Sequence, residues 1–101
     1  MSAEIAKVII PKFEYNSDIK YFIPRFAKIQ IGGSVQWTNL DDNWHRLSFY
    51  KIANDVPRII GTLGPIGPGA SDTMQFLYEV NRIDYFCDIH RNETGSVVIF
   101  S

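Results

Sequence analysis

Short apolar runs that alternate with polar residues dominate this sequence. No stretch of a dozen residues places apolar side chains at helical spacing, and turn residues such as Gly32-Gly33 separate the runs. Roughly seven to eight short strands in one chain predict an all-β fold, an antiparallel sandwich or barrel. The predicted strands lie at Lys7–Pro11, Ala27–Ile31, Ser34–Thr38, Leu47–Tyr50, Thr73–Val80, Ile83–Cys87 and Ser96–Phe100.

Glycine and proline mark the expected interruptions. Pro24 lacks an N–H group to donate to a ladder, so we expect it at a bend or on an edge. The stretch Gly61–Gly69 holds four glycines and two prolines, which predicts a surface loop. The segment Ala53–Pro57 is compatible with one helical turn.

The size and charge of the chain exclude several classes of protein. Its 101 residues predict a single domain over residues 1–101. The net charge of −1, with 21% charged residues, argues against a disordered charged tail and against nucleic-acid binding. No apolar run reaches about 18 residues, so no transmembrane segment is expected. The first residues lack the features of a secretion signal, which leaves a cytosolic protein or a chain whose signal or anchor was removed.

The inventory of metal-binding side chains is small and informative. The chain has one cysteine, Cys87, and therefore no internal disulfide, and its two histidines are His45 and His90. Cys87 ends a predicted strand, His90 follows after two residues, and His45 comes just after the strand that ends near Asn39. Strand ends far apart in sequence meet at one pole of a sandwich, so these three side chains are expected to converge. Two imidazoles and one thiolate form the trigonal donor set of blue-copper sites.

Two segments resemble the cupredoxins, the small blue-copper proteins of the plastocyanin, amicyanin and pseudoazurin type. The run from Phe22 to Asn39 is similar to the family's F-x-P and V-x-x-G-D-x-V-x-W-x-N pattern, with Gly33 in place of the usual Asp. The run from Cys87 to Glu93 resembles the C-x-x-H-x-x-M loop of amicyanin. The resemblance implies a Greek-key β-sandwich that holds one copper ion, which cycles between Cu(I) and Cu(II). It assigns the ligands to His45, Cys87, His90 and, in the axial position, Glu93.

The axial position departs from the family pattern, because Glu93 stands where methionine is usual. A carboxylate is a harder, charged donor that favours Cu(II), so ligation would lower the reduction potential and move the colour from blue toward green or red. Two alternatives stay open. In the first, Glu93 is a solvated loop carboxylate, and the metal is three-coordinate or capped by water. In the second, the backbone carbonyl of Trp44 supplies the weak ligand.

The resemblance also suggests supporting residues around the ligands. Asn39 would tie the two ligand-bearing loops together, unless it is a plain turn residue. Trp44 either belongs to an exposed docking surface or folds over its loop. An apolar collar around His90, the expected exit for electrons, would contain Ile89, Ile66 and Pro68; the alternative is ordinary loop filling.

The leading functional prediction is a one-electron carrier rather than an enzyme. The resemblance implies a redox partner protein that docks at the His90 end, a monomeric chain, and a periplasmic or other extracytoplasmic location, with membrane association possible in a longer form. One alternative is a redox catalyst or small-molecule sensor with an open coordination position. The other is copper storage or delivery, although the chain has no Met-rich or Cys-x-x-Cys motif.

Overall fold

The computed structural model describes residues 4–13, 20–77 and 81–101, and within them it contains strands and turns but no helix. None of the described residues forms a helix able to cross a membrane. Eight strands follow one another along the chain: β1 (Ile5–Ile10), β2 (Lys20–Gln30), β3 (Ser34–Asn39), β4 (His45–Ala53), β5 (Val56–Ile66), β6 (Ser71–Gln75), β7 (Arg82–Cys87) and β8 (Glu93–Phe100).

The strands form one continuous sheet in the order β5-β4-β7-β8-β2-β1-β3-β6, which folds into two layers. Strand β2 joins the layers, because it pairs with β1 at Ile23 and with β8 on either side of that residue, at Lys20 and Tyr21 and again from Phe26 to Gln30. The register of the β2–β8 pair shifts between Tyr21 and Phe26, so the ladder is irregular around Pro24, where a bend or an edge was expected. The all-β prediction is confirmed. The β1–β3 and β2–β8 pairs are parallel, a detail that strand patterns alone do not reveal.

Aromatic side chains fill the space between the layers. Trp37 is fully buried, and its ring centroid lies 5.3 Å from that of Phe49 and 5.4 Å from that of Tyr85, both in near-perpendicular or tilted contact. Phe22 packs against Tyr85 at 5.3 Å. Such a core of large rings, each buried by strand alternation, holds the ends of the strands in defined positions.

The predicted loop at Gly61–Gly69 is wrong over its first part, because β5 continues to Ile66. Strand β5 lies at the end of the sheet order and, among the strands of the described residues, pairs with β4 alone, so Pro65 interrupts no ladder on its outer side. At Gly61 a side-chain Cβ would come within 2.9 Å of Cε of Met74 on β6. The glycine therefore serves close packing between the two outermost strands rather than a turn.

The prediction of a helical turn at Ala53–Pro57 is also wrong. Ala53 pairs with Val56 in a tight β4–β5 hairpin. The two linking residues, Asn54 and Asp55, have φ angles of 54° and 62°, which is the left-handed pair required by a type I′ turn. The predicted strand Thr73–Val80 corresponds to β6, and its last residues, 78–80, lie outside the described residues.

Candidate metal centre

Three neighbouring strands bring the candidate ligands to one end of the sandwich. His45 is the first residue of β4, Cys87 the last of β7 and Glu93 the first of β8. The antiparallel pairs β4–β7 and β7–β8 place these ends side by side. His90 lies in the short connection between β7 and β8, where Glu93 N–H donates a hydrogen bond to the His90 carbonyl.

The four side chains converge on one small volume. One ligand atom from each of His45, Cys87, His90 and Glu93 lies within 4.8 Å of the others. Nδ1 of His45 is 3.5 Å from the Cys87 sulfur and 2.9 Å from Oε1 of Glu93, and Nδ1 of His90 is 3.4 Å from Oε2. His45, Cys87 and Glu93 are completely buried, whereas the His90 side chain keeps 26% of its surface exposed.

The Glu93 carboxylate fits a bound cation. Among the described residues, no hydrogen bond of good geometry reaches either of its oxygens, although both are buried. A buried carboxylate that lacks hydrogen bonds is costly unless a positive charge lies beside it. A protonated His45, with Nδ1 2.9 Å from Oε1, supplies that charge in the metal-free chain, and a bound metal ion would take its place. The remaining donors, one thiol and two imidazoles, suit a soft or borderline transition metal better than a hard cation such as Ca²⁺.

The outer nitrogen of His45 is held by a carboxylate. Nε2 lies 2.9 Å from Oδ2 of Asp41, which is only 3% exposed, and Oδ1 of Asp41 accepts a hydrogen bond from the Asp42 N–H. A hydrogen on Nε2 leaves the lone pair of Nδ1 directed at the candidate centre. Asp41 was not among the predicted site residues, and its i, i+4 spacing to His45 is the only signal in the sequence for this role.

The same contacts change the acidity of His45 in the metal-free chain. Burial by itself lowers the pKa of the imidazole, but the contacts with Cys87, Glu93 and Asp41 outweigh it and raise the pKa from 6.5 to about 10. The metal-free centre therefore holds a proton on each His45 nitrogen at neutral pH. A metal ion must displace the proton on Nδ1.

Aromatic rings complete the wall behind His45. The centroids of Phe13 and Phe22 lie 6.0 Å and 6.5 Å from that of the imidazole, both edge-on, and the His90 ring lies 5.5 Å away. Phe13 and Phe22 are buried. These rings keep water from the inner side of the centre and leave His90 as its partly exposed member.

Asn39 is buried and joins two segments by hydrogen bonds. The prediction that these segments are the two ligand-bearing loops is wrong. Its Nδ2 donates to the carbonyls of Asn43, at 2.8 Å, and Ile66, at 3.0 Å, and its Oδ1 accepts from the Asp41 N–H. These bonds join the loop before His45 to the end of β5. The prediction failed because it needed the neighbours of Asn39, which sequence spacing does not define.

Asp88 instead connects β4 to the loop that carries His90. Its carboxylate accepts hydrogen bonds from Ser48 Oγ, at 2.5 Å, and Arg46 Nε, at 2.8 Å. Its backbone N–H donates to the Arg46 carbonyl at 2.7 Å. The hydrogen bond from Ser48 and the nearby arginines lower the pKa of this carboxyl group despite partial burial. These bonds therefore hold Asp88, the residue after Cys87, against the strand that begins with His45.

The surface around His90 agrees only partly with the expected collar. Ile89 is 55% exposed and Pro68 is also exposed. Ile66 is 2% exposed, so its assignment to the outer collar is wrong, because it pairs with His45 in the β4–β5 ladder and points into the core. Trp44 is 56% exposed and also folds over its neighbouring loop, since a Cβ at Gly67 would lie 3.0 Å from its ring.

Structural comparison identifies close architectural relatives. A purple cupredoxin from Nitrosopumilus maritimus matches with a TM-score of 0.78 and 25% identity, over 93% of this chain and 98% of that one. The chain has the cupredoxin fold. A Cu(I) form of an amicyanin variant also matches this cupredoxin fold, with a TM-score of 0.69 and 18% identity, over 98% of this chain and 85% of the other.

A second amicyanin variant in its Cu(I) form gives a TM-score of 0.67 at 19% identity, over 94% of this chain and 81% of that one. Comparison of the sequence with models of protein families and with curated proteins gave no match. The similarity to cupredoxins is therefore evident in the fold, while at least about three quarters of the aligned residues differ.

Proposed function

We propose that this cupredoxin-fold chain is a one-electron carrier with a mononuclear copper centre held by His45, Cys87, His90 and Glu93. The observation that carries the proposal is the convergence of these four donor atoms within 4.8 Å, in a largely buried position. Structural likeness to a purple cupredoxin and to amicyanin supports it. A bound copper ion would supply the couple between Cu(I) and Cu(II).

The donor set suits both oxidation states. The Cys87 thiolate is a soft donor that stabilises Cu(I), and the imidazoles of His45 and His90 bind either state. The strands that carry these residues belong to one hydrogen-bonded sheet, with Leu47 paired to Cys87. A stiff frame of this kind keeps donor positions similar in both states, so little reorganisation opposes electron transfer.

Glu93 is proposed as the axial ligand in place of methionine. Its two oxygens face the nitrogens of His45 and His90, and its negative charge favours the more highly charged Cu(II). We therefore infer a lower reduction potential than a methionine ligand would give. A stronger axial bond also weakens the thiolate bond and shifts the colour, in line with the purple colour named for the structural relative.

His90 is the proposed point of electron entry and exit, because it is the one partly exposed member of the cluster and lies beside exposed Ile89. A redox partner that docks at this end would approach the centre through the imidazole ring. A monomeric state and an extracytoplasmic location stay predictions from the resemblance.

Copper loading tests the proposal directly. The purified chain is incubated with Cu(II), and its visible and paramagnetic-resonance spectra and its potential are recorded. We expect one copper ion per chain and an intense thiolate absorption, and that absorption should be lost in Cys87→Ser. A colourless, metal-free product with the unaltered chain would refute the copper function.

Substitutions at Glu93 test the axial ligand separately. Glu93→Gln removes the charge and keeps the shape, and Glu93→Met restores the usual donor. We expect the potential to rise by more than about 59 mV in Glu93→Met, a tenfold change in the redox equilibrium for one electron. The matched control is Asp42→Asn, which removes one carboxylate charge at a side chain 75% exposed. An unchanged spectrum and potential in both Glu93 variants would exclude axial ligation.

Added azide or nitric oxide distinguishes the carrier from the catalyst or sensor. If the protein is an electron carrier, its spectra should not respond to either molecule, because the buried Glu93 carboxylate would occupy the fourth coordination position of the copper. Transfer of copper to an apo-protein acceptor within the time of a redox cycle would favour storage or delivery instead.

A further inference from the structure

The outward face of the larger layer, formed by β5, β4, β7, β8 and β2, carries aromatic and aliphatic side chains where a solvent-facing sheet is usually polar. Tyr50 pairs with Ile59 on β5, and Phe86 pairs with Thr94 on β8. Ile59 is 56% exposed and Ile52 is 63% exposed. Scattered exposed apolar residues are ordinary, whereas a contiguous apolar surface indicates an interaction site.

Two adjoining depressions make this face concave. One has a volume of about 570 Å³ and is mostly apolar, with Ile52, Ile59, Phe86 and Arg91 among its lining residues. The other has a volume of about 190 Å³ and is polar, with Arg25, Arg82 and Asp84 in its wall. Tyr50 and Thr94 line both, so the two depressions form one cleft. One end is mostly apolar and the other is polar, and each end has at least one arginine in its wall.

Arginines lie over aromatic rings along this cleft. The guanidinium carbon of Arg25 is 4.1 Å from the centroid of Tyr21, and that of Arg91 is 5.8 Å from the centroid of Phe86. Within residues 4–13, 20–77 and 81–101, neither Arg25 nor Arg91 forms an ion pair. An arginine that rests on a ring keeps its N–H groups in a defined plane, where they can bind a carboxylate in a bidentate manner.

The charge of this face differs from that of the whole chain. Among the lining residues of the cleft, three are arginines and one is an aspartate. That aspartate, Asp84, already accepts hydrogen bonds from Arg82 Nε, at 2.7 Å, and from Ser96. The chain as a whole has a net charge of −1, so positive charge is concentrated among the residues that line the cleft.

We propose that this cleft is a docking surface for a protein that presents an apolar side chain surrounded by Asp or Glu residues. The apolar side chain would occupy the larger depression, and the flanking carboxylates would bind Arg25 and Arg91. Charge complementarity selects this partner over a basic or neutral one. The inference goes beyond the proposed copper function and does not depend on it, because the cleft is built without metal.

The test uses the metal-free chain and a short synthetic peptide in which glutamates flank one phenylalanine. Amide resonances are followed by NMR as the peptide is added. We expect shifts at residues of β4, β7 and β8 that line the cleft, and weaker binding as salt is raised from about 0.02 M to about 0.2 M. The same peptide with lysines in place of the glutamates should not bind.

Charge-removing variants distinguish the cleft from general attraction. Arg25→Gln combined with Arg91→Gln should weaken peptide binding at least about tenfold, and the two corresponding Arg→Lys changes should retain part of it. Lys7→Gln removes a positive charge from an exposed residue of β1, in the other layer, and should leave binding unchanged.

Three outcomes would overturn the proposal. The first is equal binding of the glutamate and lysine peptides. The second is equal binding by the Arg25/Arg91 double variant and the original chain. The third is concentration-dependent shifts at the cleft residues without peptide, because that result would identify a second copy of this chain as the occupant.

Discussion

Asp41 offers the sharpest test of how the fold prepares its candidate metal centre. Its Oδ1 accepts the Asp42 N–H at 2.9 Å, and its Oδ2 lies 2.9 Å from Nε2 of His45. Asp41→Asn keeps the size of the side chain and its cap on the Asp42 N–H. It places an amide NH₂ group against the Nε2 hydrogen that His45 must carry when Nδ1 binds a metal. Two donors then face each other.

The size of the effect follows from the bond that is lost. A hydrogen bond that involves a charged group contributes about 1.5–3 kcal/mol. At about 1.4 kcal/mol per tenfold change, Asp41→Asn should weaken copper binding roughly 10- to 150-fold. Measured effects of removing such supporting partners in other metal sites, about 10- to 100-fold, are of the same order.

Competition between the protein and a chelator of known affinity measures this change at fixed pH and ionic strength. Asp42→Asn is the matched control, because it makes the same change in charge at the next residue, whose side chain is 75% exposed and paired with Lys12. We expect the control to bind copper like the original chain. Asp41→Ala, which also loses the cap on Asp42, should be less stable than Asp41→Asn in the metal-free form.

The opposite result is equally clear. If Asp41→Asn bound copper as tightly as the original chain, Asp41 would be only a cap for its loop, and the argument from the His45 hydrogen would be wrong. Equal losses in Asp41→Asn and Asp42→Asn would show a general effect of charge instead.

Two further predictions concern stability. The pKa of His45 is raised from 6.5 to about 10 in the metal-free chain, so its contribution to stability is complete below pH 6.5 and is lost as the pH rises toward 10. Urea unfolding of the metal-free chain should show this decline, and His45→Gln should show less of it; equal declines would contradict the assignment. Gly95→Ala should cost about 1–3 kcal/mol in the same assay, because an added Cβ would overlap the ring and hydroxyl of Tyr85. A loss below about 0.5 kcal/mol, within the range of neutral surface changes, would contradict that packing.

Local sequence was sufficient to identify most strands and the positions of the candidate ligands. Alternation over Ser34–Thr38 and Ile83–Cys87 reflects a strand with one face in the core, and that signal depends only on neighbouring residues. Because His45, Cys87 and His90 stand at or just beyond strand ends, their meeting at one pole could be predicted. The structure brings them together with Glu93, and metal binding by the four stays a proposal for experiment.

Several features depend on which strands are neighbours in the sheet, and the sequence-based predictions missed those features. The glycine-rich residues 61–66 form a strand because β5 lies at the edge of the sheet, next to Met74 of β6. Ile66 is buried because it pairs with His45, and Asn39 bonds to Ile66 rather than to the second ligand loop. Each outcome follows from contacts between residues far apart in the chain, which local patterns do not specify.

The amino-acid sequence alone thus determined the all-β class and the positions of the four candidate metal ligands. Only the tertiary structure decided that Asp41 holds the outer nitrogen of His45, that Asp88 joins β4 to the His90 loop, and that arginines line a cleft on the outer sheet. The physical reason is that the alternation of apolar and polar side chains depends only on residues that are adjacent in the chain. Hydrogen-bond partners and surface charge arise only when distant strands are brought side by side.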